Sequence, residues 1–250
     1  MEKIQAILYI AHGSRWKAGI EEAKSHVHHF MAKLPFSIQK LAFIDFAKPS
    51  VEEAVEACVK EGASRIAFIP LLLLEAGHAK KDLPAMLAQT QRKYPGVYVT
   101  ASKPFGVEES IVDSVIARIK ERTAIDKKTR ILLVARGSSD ASIRKPLDQL
   151  VGRMQRKLDV TRIRVCYLVG QEPSFVEALD EELDNDAPSL VIVPYLLFDG
   201  LLLRYILEEV ERKISPYNNL IVCRPLGIDE NLSALLKEKV WASVVEEARR

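Results

Sequence analysis

Short, nearly continuous apolar runs alternate along this chain with longer stretches in which apolar residues recur every three or four positions. The runs Ile4–Ala11, Ile38–Ile44, Arg65–Leu72 and Val97–Ala101 are rich in Ile, Leu, Val and Phe without strict alternation, which suits strands of a parallel sheet covered on both faces. Between them Trp16–Ala32, Ser50–Lys60, Ala79–Lys93 and Glu108–Arg122 carry helical spacing. Pro49-Ser50-Val51-Glu52-Glu53 reads as a helix start, with proline in the first turn and acids at the positive end of the dipole. Gly62 is placed to close that helix. The order then resumes, with strands at Arg130–Ala135, Arg162–Leu168, Ser189–Leu196 and Leu220–Cys223, and helices at Ala141–Lys157, Pro173–Asp184, Leu201–Ile214 and Asp229–Arg249. Such alternation predicts an α/β fold of parallel, doubly wound sheets flanked by helices.

The second series repeats the first. Ile7 to Arg15 reads Ile-Leu-Tyr-Ile-Ala-His-Gly-Ser-Arg, and Ile131 to Ser139 reads Ile-Leu-Leu-Val-Ala-Arg-Gly-Ser-Ser, 124 residues later. Pro49-Ser50 recurs at Pro173-Ser174 and Pro70 at Pro194, both at the same offset of 124. Lys103-Pro104-Phe105-Gly106 recurs as Arg224-Pro225-Leu226-Gly227 at an offset of 121. Agreement at four landmarks marks an internal duplication. The stretch Thr123–Thr129 has no apolar face and is taken as the linker. The predicted domains are therefore residues 1–124, carrying the active site, and a degenerate copy over residues 125–250.

Composition narrows the class. Of 250 residues, 48% are hydrophobic and 28% charged, enough for a sizeable core, and 36 basic residues against 34 acidic ones leave a net charge of only +2. No long-range field announces nucleic acid or an anionic membrane, and neither is expected as a partner. Cys58, Cys166 and Cys223 are widely spaced, with no CxxC, and read as buried reduced thiols. The N-terminus lacks the layout of a signal peptide and no apolar run approaches the ~18–20 residues of a membrane span. A cytoplasmic location is expected.

The duplication supplies an internal control, because polar groups present in one copy alone are candidates for chemistry. His12 stands opposite Arg136, Asp45 opposite Val169, and His78 opposite Leu202. Each of the first three follows the end of a predicted strand, and in open parallel sheets that edge binds ligands. Two imidazoles and a carboxylate suit a borderline divalent metal such as Fe²⁺, Co²⁺, Ni²⁺ or Zn²⁺, or general-base work. Arg15, Lys103, Arg136, Arg204 and Arg224 lie near strand ends, and Lys80 and Lys81 open the helix after His78, where they could meet ligand carboxylates. The turns at Gly13-Ser14 and Gly137-Ser138 could present backbone N–H groups to an anion. Neither is a GxGxxG or GxxxxGK[ST] loop. His26, His28 and His29 fall on different faces of one helix and read as solvated surface.

These residues resemble the class II chelatases of tetrapyrrole synthesis, specifically the sirohydrochlorin ferrochelatase/cobaltochelatase family. The resemblance rests on Ala11-His12-Gly13-Ser14-Arg15, on Ala42 to Ser50, and on Pro70 to Pro84 with its Glu-Ala-Gly-His78-Ala-Lys-Lys. Gly137-Ser138-Ser139-Asp140 and Val193 to Phe198 resemble the longer, two-domain bacterial members. It implies two chelatase-like domains facing across a cleft, with the active residues in the N-terminal half. It implies insertion of Fe²⁺ into sirohydrochlorin to form siroheme. Co²⁺ insertion for cobalamin synthesis, or non-catalytic binding of metal or tetrapyrrole, are the alternatives. Family members bind metal through two histidines and a glutamate, which map onto His12, His78 and Asp45, where aspartate is one methylene shorter. It is expected either to ligate the metal or to act through water or on an imidazole. Ser14, Arg15, Lys80, Arg136 and Ser138 are the expected substrate-binding residues. The expected partners are sirohydrochlorin and a divalent metal, with no cofactor beyond the substrate metal and with a monomer as the working unit.

Overall fold

The computed structural model describes residues 3–160, 162–184, 189–213 and 220–244. The strands are β1 (Gln5–Ala11), β2 (Ile38–Phe43), β3 (Arg65–Leu71), β4 (Tyr98–Ala101), β5 (Arg130–Ala135), β6 (Arg162–Tyr167), β7 (Leu190–Tyr195) and β8 (Leu220–Val222). The helices are α1 (Lys17–Met31), α2 (Val51–Lys60), α3 (Leu83–Lys93), α4 (Glu109–Lys120), α5 (Arg144–Lys157), α6 (Phe175–Leu183), α7 (Leu201–Lys213) and α8 (Glu230–Ser243). Every strand falls inside the range predicted for it. They form two four-stranded parallel sheets of identical topology, ordered β2-β1-β3-β4 and β6-β5-β7-β8.

The continuous apolarity of the runs has its cause in this layering. In the first sheet Ala6, Leu8 and Ile10 of β1 pack with Ala54, Val55 and Cys58 of α2 and Leu83 of α3. On the opposite face Tyr9 meets Phe30 of α1 edge-on at 5.8 Å. A strand with helices on both sides has no solvent-facing row to make polar. In the second sheet Leu132 and Val134 of β5 pack with Phe175 and Leu179 of α6 and with Ile206 and Val210 of α7. The three cysteines are buried and unbridged, as expected, and burial pushes the Cys58 thiol up to about 11 and those of Cys166 and Cys223 to about 12.

The spatial units cut across the two sequence repeats. One unit comprises the chain to Gly106 together with the segment from Leu232 onward; the other comprises Val107–Asn231. Helix α4, the last element of the first repeat, belongs to the second unit. Its buried Arg118 donates to the carbonyls of Pro225 (3.2 Å) and Leu226 (3.0 Å), and Asp229 accepts from Ser114 (2.8 Å). Helix α8, the last element of the second repeat, returns to the first unit, where Trp241 lies 5.1 Å from Phe36 and Thr100 donates to the Ser243 carbonyl. The predicted linker lies inside the second unit as an ordered turn. There Asp126 Oδ1 accepts from the amides of Lys128 (2.9 Å) and Thr129 (2.8 Å). Periodicity could not reveal the exchange, since the two terminal helices share one role in two copies.

Two local readings are also refined. Pro49 stands before the helix rather than in its first turn, and Ser50 is the N-cap of α2, forming a reciprocal capping box with Glu53. The pair Ser174 and Glu177 does the same for α6. The segment expected as one helix from Ala79 begins instead with a π-helical turn, His78–Asp82, before α3. Pro84 sits in the first turn of α3 and lacks the N–H that would bond four residues back. Gly62 closes α2 with φ +93°, as expected.

Candidate active site

The registers of the first sheet bring three loops to one edge. Ala11 at the end of β1 lies level with Phe43 at the end of β2 and with Leu71 at the end of β3. His12 follows β1 directly and is half-buried, with its Nε2 shielded from solvent. Asp45 follows β2, and its amide donates to the His12 carbonyl at 2.9 Å, while the Ile44 amide donates to Ala11 at the same distance. The parallel ladder thus continues past the strands and ties Asp45 to His12 through the backbone.

Gly13 makes that approach possible. Its φ is +91°, and a Cβ placed there would lie 1.8 Å from the Asp45 carbonyl oxygen. Gly137 shows the same φ region and the same collision with the carbonyl of Val169. The close contact of these two loops belongs to the scaffold, and the side chains differ: His12 and Asp45 in one copy, Arg136 and Val169 in the other.

Phe46 was not singled out by sequence reasoning. It is the sole non-glycine residue with positive φ among the described residues, at +61°, a conformation that costs an L-residue roughly 1–2 kcal/mol. The residue is 57% exposed. Its ring lies 6.3 Å from the His12 ring at an interplanar angle of 17°, and the Arg15 guanidinium carbon sits 4.8 Å from its centroid, within cation–π range. A signal was available, because the residue 124 positions later is Gly170, which has φ +68°.

The third loop runs from β3 into the π-helical turn that His78 begins. The position of His78 after the third strand is as expected, and its side chain lies outside the described residues. Lys80 and Lys81 are exposed and Ala79 is buried. The loop after β4 ties back, with Phe105 and Gly106 donating to the carbonyls of Leu72 and Leu73 at 2.9 and 2.8 Å. Among the described residues no group of three or more His, Cys, Asp or Glu side chains is assembled for a metal.

The remaining candidates divide. Ser14 Oγ accepts from the Trp16 amide at 3.0 Å, and Ser138 Oγ from the Asp140 amide at 3.1 Å, so both hydroxyls shape their turns. Arg15 is exposed beside His12's loop, and Arg136 is exposed at the corresponding edge of the second sheet. Arg224 is held by Glu121 at 2.9 and 3.0 Å. His28 and His29 are exposed, and His26 lies 3.8 Å from Glu22, consistent with solvated helix surface. No helix of the described residues is long and apolar enough to cross a membrane.

The chain matches the CbiX family twice, over residues 6–122 and 130–243. It is 36% identical over 242 residues to the sirohydrochlorin ferrochelatase of Priestia megaterium, an alignment that spans 96% of this chain and 91% of that protein. Its fold is similar to that of SirB from Bacillus subtilis with Fe³⁺, with a TM-score of 0.84, 33% identity and coverage of 95% and 94% of the two chains. A second solved relative is the sirohydrochlorin chelatase SirB of Bacillus subtilis subspecies spizizenii in complex with cobalt. Its TM-score is 0.81, with 32% identity and the same coverage.

Proposed function

Since this chain belongs to the CbiX family, present in it twice, we propose that it is a sirohydrochlorin ferrochelatase, inserting Fe²⁺ into sirohydrochlorin to complete siroheme. The observation that carries this reading is 36% identity, across nearly the whole length of both chains, to a protein of that activity. Insertion removes two pyrrole N–H protons while a partly dehydrated metal ion is delivered to the ring. On this reading His12 and His78 hold the incoming ion, and each imidazole, once the ion has passed to the ring, is free to accept a pyrrole proton. Asp45 balances charge, as a ligand, through water or by orienting an imidazole. Arg15 and Lys80 meet the macrocycle's carboxylates, with the turn of Ser14 beside them. Iron is a substrate here, and the reaction calls for no resident cofactor. A cytoplasmic monomer completes the proposal, and size-exclusion chromatography with light scattering tests the last point.

Anaerobic absorption spectroscopy of sirohydrochlorin with Fe²⁺ tests the activity. The protein should accelerate insertion over the uncatalysed control, and tight macrocycle binding without acceleration would instead identify a carrier. The single variants His12→Ala and His78→Ala should each lower the insertion rate at least about a hundredfold while remaining folded. Wild-type activity in either removes that residue from the mechanism. The cobalt-bound relative supports a second reading, Co²⁺ insertion. Imidazole and carboxylate donors accept both ions, so initial rates with the two metals under the same anaerobic conditions discriminate.

A further inference from the structure

The proposed mechanism leaves Phe46 unused, yet it is the most unusual residue of the site. We propose that the ring of Phe46 is a contact surface for the macrocycle, a substrate-binding group that works together with Arg15. The inference rests on the reading that the ligand is a flat conjugated ring edged with carboxylates.

Three observations lead to it. First, the backbone at this position adopts a left-handed conformation in both units, and the second unit fills it with Gly170 at φ +68°. The turn itself therefore asks for no side chain. The first unit keeps a bulky aromatic there at φ +61°, and such an outlier points towards a role outside packing. Second, the residue contributes little to the core, since 57% of it remains exposed. An aromatic side chain held largely in water beside the proposed metal-handling groups offers apolar surface to a ligand there. Third, its neighbours have a chemistry that fits such a ligand. The His12 ring lies 6.3 Å away and within 17° of parallel, and the Arg15 guanidinium carbon is 4.8 Å from the ring centroid. A disc lying against Phe46 would bring a peripheral carboxylate within reach of Arg15. Offset stacking supplies the first contact and a charge-assisted hydrogen bond the second.

The test is a titration of metal-free sirohydrochlorin into the full-length protein, followed by absorption. Phe46→Gly copies the second unit's own solution at this turn and should fold. Phe46→Asn, also tolerated in left-handed backbone, serves as a second ring-free variant. Both should bind sirohydrochlorin on the order of tenfold more weakly, and both should raise KM by a similar factor with kcat changed less than about threefold. Phe46→Tyr, which keeps the ring, should restore binding to within about twofold. Co²⁺ binding without macrocycle, followed by equilibrium dialysis, should be unchanged in all three. Unaltered macrocycle affinity in the glycine and asparagine variants overturns the proposal. So does a loss confined to Co²⁺ affinity, which would make Phe46 a support for His12 instead. If the wild-type protein binds sirohydrochlorin without accelerating insertion, the chelatase reading fails while the binding titration still decides the role of Phe46. If it binds no sirohydrochlorin, both fall.

Discussion

Gly13 carries the tightest steric constraint in the candidate site. A methyl group there would meet the Asp45 carbonyl oxygen at 1.8 Å, on a backbone whose φ of +91° already disfavours side chains. Gly13→Ala should therefore destabilise the chain by at least about 3 kcal/mol, because relief requires separating loops joined by the Asp45-to-His12 hydrogen bond. Gly137→Ala should cost a similar amount, since its Cβ meets Val169 in the same way. Urea denaturation of both variants checks this, and a large cost at one glycine alone would mean that the two turns are not equivalent scaffolds. The pair illustrates how much the duplication reveals at this scale. His12 and Asp45 were legible because their counterparts are Arg136 and Val169. Phe46 was not singled out, because an exposed phenylalanine has no periodicity and its counterpart Gly170 gains meaning only beside the positive φ of both.

At the scale of elements, the helices that follow the second strand of each sheet begin with the same device. Ser50 accepts from the Glu53 amide at 3.3 Å and Glu53 accepts from the Ser50 amide at 2.7 Å, with Lys48 donating to the same carboxylate at 2.7 Å. The ion pair with Lys48, followed by the Ser50 amide and hydroxyl, holds the Glu53 carboxyl down to about 2 from its ordinary 4.5. A depressed folded value means that the contribution is fully present above the ordinary value and is lost as pH falls through the folded one. Glu53→Gln should therefore flatten the acid limb of the stability curve between about pH 4.5 and pH 2, with little effect on its slope from pH 6 to 8. Denaturation midpoints of the wild type and the variant across that range measure it, and parallel curves would show the box to be energetically silent. Raised salt should shrink the difference, because the carboxylate is at the surface. The Ser-x-x-Glu spacing was present in the sequence, although the proline beside it drew the predicted start into the wrong position. The π-helical turn at His78–Asp82 had no periodic signal of its own, since the same apolar spacing runs through it into α3.

For the whole molecule, the consequential feature is the exchange of terminal helices. Leu232, Leu236 and Val240 of α8 are buried in the unit that contains β1 to β4. A chain ending at Asn231 should accordingly lose amide-exchange protection in β4 and around Phe36, whereas β5 to β7 should keep theirs. Hydrogen exchange with peptide resolution separates the outcomes, and loss centred on β5 to β7 would assign α8 to the other unit. The exchange also means that the spatial units do not coincide with the two sequence halves. The unit of the first sheet takes α8 from the end of the chain, and the unit of the second takes α4 from before the predicted linker.

The sequence by itself determined the local and repeating features. Strand ranges follow from apolar runs with covered faces, the parallel α/β class from their alternation with helices, the duplication from its constant offset, and the candidate trio from differences between copies. Each of these is written in residues close together or at a fixed interval. Tertiary structure decided what depends on distant segments meeting. It set the order of strands in each sheet, the pressing of Gly13 against the Asp45 carbonyl, the contact of Phe46 with His12 and Arg15, and the helix that completes each unit. Helices that occupy the same place in two copies of a repeat are interchangeable in sequence. Buried partners such as Arg118 with the carbonyls of Pro225 and Leu226 distinguish them, because an unpaired guanidinium in that position would be prohibitively costly.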